Sequence, residues 1–440
     1  MYDEEIRDVL EEEDIETGDR IKVVSEGEGY EGRLMPRSGQ GDTSAVVLKL
    51  DNGYNTGIRY SDEVEIEKVS DREEEEVEQP HVPEEDPDKP DIAILHTGGT
   101  IASKVSYEEG GVKPAFQPEE LLQLYPELFD EANVESEVIA QMLSEDMEPA
   151  HWQQIAEAVE EQRGEDGVII GHGTDTMQYT ASALSFMLEN IDVPVVIVGA
   201  QRSSDRPSSD AALNLLSAVE FVKEDIPGVY VCMHSSSSDD TAAVHHGTRV
   251  RKMHTSRRDA FRSIDERPFA EVDPESGQVD VRGDAPQEGE FELRTELDED
   301  VGLVKTRPGL EPEVLKFHEG RSGLVVEGTG LGHLPVNSFD EHTRHHDDIL
   351  EEVGELADEM PVAMTSQTIS GRVNMNVYDA GVKIQESGVI SAENMTPETA
   401  YVKLMWSLGQ ADSREEAEEL FRTNVAGEII GREEKDGFER

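Results

Sequence analysis

From residue 91 onward, short apolar runs alternate with stretches of helical periodicity, and that alternation leaves few architectures open. Asp91–Leu95 predicts a strand, Glu135–Met142 a second, and Ala150–Gln162 an amphipathic helix. Gly167–Ile170 (strand), Ala181–Glu189 (helix), Val193–Val198 (strand), Ala211–Val222 (helix) and Gly228–Met233 (strand) continue the series. Runs that are apolar at every position suit strands buried on both faces, so helices must cover both sides of a mostly parallel sheet. Right-handed crossovers then place the loops that follow the strands along one edge, where such sheets bind ligands. An acidic stretch, 272–300, reads as an irregular connection. A second, smaller α/β unit follows, with strands at Val301–Lys305, Gly323–Glu327 and Val362–Thr365 and closing helices at Thr399–Leu408 and Ser413–Arg422.

The first seventy residues follow another rule. Arg20–Val24, Tyr30–Leu34, Ala45–Leu50 and Gly57–Arg59 are strand-like, and Asp51-Asn52-Gly53 is a hairpin turn signal. About five strands in so short a span suggest a small SH3-like β-barrel over residues 1–70. Residues 71–90 are acidic, hold four prolines and have almost no apolar residue, so they read as a semi-extended linker. The expected organisation is barrel 1–70, linker 71–90, a larger α/β domain 91–300 with the reactive loops, and a smaller α/β domain 301–440.

Charge narrows the function. The chain has 99 acidic against 38 basic residues, a formal net charge of −61. Self-repulsion on that scale is relieved in molar salt, where the Debye length falls to about 3 Å, so a halophilic setting is expected. Nucleic-acid binding through this chain's own electrostatics is disfavoured. No apolar run is long enough to span a bilayer, and the acidic start lacks a secretory signal, so a cytoplasmic protein with no membrane role is expected. The single cysteine, Cys232, lies in the apolar run GVYVCMH and reads as a buried, inert thiol.

Three polar, glycine-containing segments stand where chemistry is expected, each after a predicted strand. The first, His96-Thr97-Gly98-Gly99-Thr100-Ile101-Ala102, has paired glycines that permit a tight turn but lacks the lysine and the spacing of a phosphate loop. The second, Gly171-His172-Gly173-Thr174-Asp175-Thr176, precedes a helix, so its Thr-Asp also reads as a helix cap. His172 is read as a structural histidine. The third, 247–255, concentrates positive charge (Arg249, Arg251, Lys252, His254), which suits ion pairing as well as a reaction that needs cations. The pair His245-His246 lacks a zinc-site spacing and reads as non-metal. A threonine hydroxyl is a weak nucleophile without an adjacent base. A lysine could be that base, although a neighbouring carboxylate favours the charged ammonium. Lysine, aspartate and threonine therefore read as one hydrogen-bonded relay that orients a hydroxyl or water and moves a proton. A second threonine would stand across the substrate carbonyl, with backbone N–H groups of the glycine loops, Gly99 and Gly173 among them, facing the oxyanion.

TGGTIA at 97–102, HGTDT at 172–176 and RVRKMHTS at 249–256 resemble, in the same order, the three signature segments of bacterial-type L-asparaginases. Leu143-Ser144-Glu145-Asp146-Met147 resembles that family's substrate-gripping loop, and the likeness runs over residues 91–435. The resemblance implies an asparaginase-like two-domain, parallel-sheet α/β amidohydrolase behind the SH3-like barrel. It implies Thr100 as first nucleophile, Thr174, Asp175 and Lys252 as the second catalytic group, and Ser144 at the amino-acid end of the substrate. Tyr107 corresponds to the mobile-loop tyrosine, in a shorter loop. No metal or organic cofactor is implied in this chain.

Plain asparaginases do not usually have a barrel and acidic linker in front, and many have Gly-Asn-Gly where this chain has Gly328-Thr329-Gly330-Leu331-Gly332-His333. With these features the whole chain resembles the D subunits of archaeal glutamyl-tRNA(Gln) amidotransferases. That resemblance implies release of ammonia from glutamine or asparagine. It also implies a partner E subunit that binds Glu-tRNA(Gln), uses ATP and Mg, and consumes the ammonia. A homodimer within a heterotetramer is implied, with tRNA contacts mainly on the partner. The alternatives are a free-standing L-asparaginase and a non-catalytic assembly module.

Overall fold

The computed structural model describes residues 2–25, 27–36, 43–50, 55–61, 63–71, 83–99, 103–106, 111–114, 124–202, 208–283, 289–433 and 437. Two residues expected in the site, Thr100 and Tyr107, lie outside the described residues, as do the turn Asp51-Asn52-Gly53 and most of the acidic linker.

The N-terminal region is an antiparallel sheet of β1 (Arg20–Ser25), β2 (Glu28–Leu34), β3 (Ala45–Lys49), β4 (Asn55–Arg59) and β5 (Glu65–Ser70), in the order β4-β3-β2-β1-β5. It curls around Ile21, Val23, Leu34, Val46, Leu48, Ile58 and Ile66. A helix at Glu4–Glu12, not expected from the sequence, packs Ile6 and Leu10 into the same core, and its cap Asp3 accepts from Ile6 N at 3.2 Å.

The remaining strands are β6 (Asp91–Gly98), β7 (Ser103–Ser106), β8 (Gly111–Pro114), β9 (Asn133–Met142), β10 (Gly167–Gly171), β11 (Leu188–Glu189), β12 (Pro194–Val198) and β13 (Gly228–His234). They continue as β14 (Ala242–His246), β15 (Val250–Lys252), β16 (Phe261–Ser263), β17 (Ala270–Asp273), β18 (Gln278–Val281) and β19 (Glu292–Leu293). Eight form one sheet, in the order β18-β17-β14-β13-β12-β10-β6-β9, parallel from β13 to β9 and antiparallel beyond β13. Strand alternation divides the apolar side chains. Leu95, Val168, Ile170, Val195, Ile197 and Val231 face the helix Met177–Met187, whereas Ile94, Ile169, Val196, Val198, Tyr230 and Cys232 face the helix Ala211–Val222. Cys232 is fully buried, and burial pushes its thiol pKa up.

A second sheet, all parallel, has the order β20 (Val301–Lys305), β21 (Gly323–Gly328), β22 (Val362–Ser366), β23 (Ile390–Ser391). Helices His345–Glu359 and Asp379–Glu386, also not expected from the sequence, cover one face. The other face rests on the helix Pro397–Gln410, which also packs against Met177–Met187, so one apolar core runs through both sheets. Phe186 stacks on Trp406 with ring centroids 5.5 Å apart, and Trp406 Nε1 donates to Arg294 O at 3.0 Å.

The stretch 272–300 is not the irregular connection that its composition suggests, because β18 pairs with β17 and β19 pairs with β11. β18 is an edge strand of only four residues with three of them exposed, so its Val279 and Val281 give too short a pattern to be read. No helix among the described residues is long and apolar enough to cross a membrane.

Candidate active site

The first two polar segments meet at the C-terminal ends of neighbouring parallel strands. Gly98 ends β6 at φ +117°, and a Cβ there would lie 2.2 Å from Met142 O. Gly99 follows at φ +83°, and a Cβ there would lie 2.7 Å from Gly173 N. Both residues need the left-handed region and the missing side chain, which lets the β6 turn press its backbone against the β10 turn. Thr97 Oγ1 donates to Gly171 O at 3.0 Å across the same seam.

Lys252 reaches this edge by a route that the sequence does not reveal. The third segment follows β14, an antiparallel strand that ends at the opposite edge of the sheet. The chain returns along the helix Met177–Met187: a Cβ on Gly247 would lie 2.9 Å from Ala181 O. The short strand β15 then delivers Lys252. Its Nζ donates to Thr174 Oγ1 at 2.8 Å and to Asp175 Oδ1 at 2.8 Å. The Lys252 side chain is 9% exposed and that of Asp175 66%, so the ammonium is held from inside while the carboxylate faces water. Thr174 Oγ1 accepts from the ammonium and keeps its own proton free to donate, so the hydroxyl is oriented as a relay requires.

Ser144 belongs to the same knot. Its Oγ accepts from Asp175 N at 3.2 Å, its carbonyl accepts from Thr176 Oγ1 at 2.6 Å, and a Cβ on Gly173 would lie 2.8 Å from its Cβ. The Ser144 hydroxyl proton remains available to a ligand. Thr174, Asp175, Lys252, Ser144, Gly99 and Gly173 are thus brought together.

His172 braces the turn from behind. The ring is fully buried; Nδ1 lies 2.6 Å from Gly173 O, which makes it the protonated nitrogen, and Nε2 accepts from Thr180 Oγ1 at 2.8 Å. Desolvation pushes the imidazoles of His96 and His172 down to about 4 and that of His245 to about 3. Their burial costs nothing through titration above about pH 6.5, the ordinary histidine value, and destabilises the fold progressively below it, down to about 4 for His96 and His172 and about 3 for His245. In molar salt the unfolding free energy of a His172→Gln variant should therefore change less between pH 7 and pH 5 than that of the parent chain. An equal change in denaturant titrations would show that the ring is not held neutral.

Within the third segment Arg249 pairs with Asp265 and Arg251 with Glu398, and just beyond it Arg257 pairs with Asp259 and Arg258 with Asp239. His245 Nδ1 meets Ser263 Oγ at 2.8 Å and His246 Nδ1 meets Glu266 at 2.9 Å. No group of three or more His, Cys, Asp or Glu among the described residues is set to hold a metal ion.

Sequence reasoning overlooked Gly199, at the end of β12. Asn214 Nδ2 donates to its carbonyl at 2.9 Å, and a Cβ there would lie 2.8 Å from both His172 O and Thr174 Cγ2. Gly199→Ala should push Thr174 off Lys252 and lower kcat for the reaction of this site by about 10- to 100-fold. A wild-type kcat in steady-state assays would show that the turn yields without loss. A small residue just past a buried parallel strand is the only sequence signal.

The chain matches three family models: Asparaginase, N-terminal, over residues 91–287; Glutaminase/Asparaginase C-terminal domain over 300–421; and GatD N-terminal domain over 15–69. The solved thermostable L-asparaginase from Thermococcus kodakarensis is 37% identical, with a TM-score of 0.69, over 78% of this chain and 99% of that one. The D subunit of glutamyl-tRNA(Gln) amidotransferase from Methanothermobacter thermautotrophicus is 46% identical over 97% of this chain and 97% of its own length. Its counterpart from Methanopyrus kandleri is 47% identical over 98% and 95%. With the N-terminal antiparallel sheet, both asparaginase-type domains and relatives matched along nearly their whole length, the chain belongs to the family of glutamyl-tRNA(Gln) amidotransferase D subunits.

Proposed function

We propose that this chain is the amide-hydrolysing subunit of a glutamyl-tRNA(Gln) amidotransferase, releasing ammonia from glutamine or asparagine for use by a partner E subunit. The observation that supports it is the Lys252 ammonium, shared at 2.8 Å between Thr174 and Asp175 beside the glycine turn that leads to Thr100. In this reading a threonine hydroxyl, Thr100 first, attacks the side-chain amide carbonyl. Backbone N–H groups of the glycine turns hold the oxyanion, and Ser144 holds the amino-acid end of the substrate. The attacking hydroxyl passes its proton to Thr174, whose own proton goes to the departing nitrogen while the Lys252 ammonium holds Thr174 in place, so the C–N bond breaks to ammonia. Water, with its proton taken by the same relay, then hydrolyses the acyl ester and restores the hydroxyl. Tyr107, by its correspondence to the family's mobile-loop tyrosine, belongs to the proposed substrate-binding set. The partner would bind Glu-tRNA(Gln) and activate its glutamyl carboxyl with ATP and Mg, with two copies of each subunit in the complex.

The chain purified in molar salt with its partner, glutamine, ATP and Glu-tRNA(Gln) should yield Gln-tRNA(Gln), with ammonia release that rises when tRNA is added. Strong asparagine hydrolysis by the chain alone, indifferent to partner and tRNA, would show a free-standing asparaginase instead.

A further inference from the structure

The two halves of the relay come from different parts of the chain, Thr174 and Asp175 from the turn after β10 and Lys252 from β15, 78 and 77 residues later. Both are tied to the same buried hydroxyl. Thr399, in the first turn of the helix Pro397–Gln410, donates its Oγ1 proton to Thr248 O at 2.9 Å, four residues before Lys252. The same oxygen lies 3.0 Å from Ser182 Oγ, on the helix that starts directly after Asp175 and Thr176, and 3.0 Å from Thr396 Oγ1.

Thr399 gives its single proton to Thr248 O and accepts from Thr396, while the one Ser182 proton is shared between Gln178 O at 2.9 Å and Thr399 Oγ1 at 3.0 Å. All of these residues are buried. A second link runs parallel to the first: Glu398 Oε1 lies 3.1 Å from Arg251 Nη2, so the residue before Thr399 grips the residue before Lys252. Buried hydroxyls linked in this way resist displacement, because a shift of either segment leaves a polar group without its partner.

We propose that Thr399 is a positioning residue for amide hydrolysis, its hydroxyl setting the separation between the Thr174–Asp175 turn and Lys252. Thr399 touches neither substrate nor reacting atoms. It acts by referring both halves of the relay to the smaller domain, so the relay closes only when that domain is seated. This inference rests on Thr174 and Lys252 being the amide-hydrolysing pair.

The test measures steady-state ammonia release from glutamine by the chain in complex with its partner in molar salt, with turnover expressed per folded protein. Thr399→Val keeps the side chain's shape and removes the hydroxyl. It should lower kcat about tenfold with KM changed less than about twofold, whereas Thr399→Ser should restore kcat. Ser182→Ala, which removes the other end of the chain of hydroxyls, should lower kcat in the same sense and decides the matter if Thr399→Val does not fold. Unchanged kcat per folded molecule in Thr399→Val or Ser182→Ala, or a Ser variant as impaired as Val, would overturn the proposal. Lys252→Met separates the two failures. If it stays active, the reading of the site is wrong; if it is inactive while Thr399→Val turns over normally, only the positioning role falls.

Discussion

Replacing Lys252 with methionine should reduce ammonia release by about 1000-fold or more while leaving the fold intact. Methionine keeps most of the apolar stem of a side chain that is 9% exposed, so the packing survives. What disappears is the donor that Thr174 Oγ1 and Asp175 Oδ1 share, each at 2.8 Å. Thr174 then has no partner to fix its rotamer. Asp175 is 66% exposed and finds water, so little stability is lost with the ion pair. Single-turnover ammonia release beside a denaturant titration separates the two effects. A variant that retains a tenth of the parent rate would remove Lys252 from the chemistry, and a Thr174→Val variant should fall to a similar level if the two act as one unit.

The second large effect is on stability. Lys403 and Glu428 form an ion pair in which both side chains are fully buried. Lys403 also donates to Thr423 O, and the Glu428 carboxylate accepts from Val425 N at 3.0 Å and Ala426 N at 2.7 Å. Lys403→Met strands a carboxylate in the core and should cost about 3–5 kcal/mol, because breaking a buried pair costs far more than the pair is worth against apolar groups. The double variant Lys403→Met, Glu428→Gln should recover a large part of that loss. Denaturation midpoints of the three proteins in molar salt test it: a single variant within about 1 kcal/mol of the parent would mean that water reaches the pair.

Much of this was legible in the sequence, and the reasons differ by element. Strands such as β10 and β12, buried at every residue, announce themselves as uninterrupted apolar runs. The turn residues Gly99 and Gly173 are readable because only glycine permits backbones to meet at that distance. Lys252 could be named through its motif, but not the path that brings it back along the helix Met177–Met187, since that depends on β14 reversing direction. Arg249 shows the limit most clearly. In sequence it is one cation in a basic run; in the fold it is fully buried and donates to the carbonyls of Asn394, Glu428 and Ile264, at 2.8, 3.0 and 2.6 Å. Desolvation lowers its pKa, and Glu266, Asp265 and Glu428 oppose that shift. No local pattern distinguishes an arginine that braces three distant segments from one that faces solvent. Thr399 is equally silent, because the two partners that give it a role, Thr248 and Ser182, lie 151 and 217 residues away in the chain.

The segment that wraps Glu428 has a consequence for how such a protein is made. Thr248 Oγ1 donates to Ala426 O at 3.1 Å and Arg249 to Glu428 O at 3.0 Å, so the stretch before Lys252 is anchored by residues synthesised 178 and 179 positions later. At roughly 5–20 residues per second, the growing chain spends on the order of ten seconds or more with both threonine segments made but the lysine strand unanchored. A nascent chain that stops short of residue 426 would then be unable to hydrolyse free glutamine, and the capacity to release ammonia would arrive only once that segment has folded back.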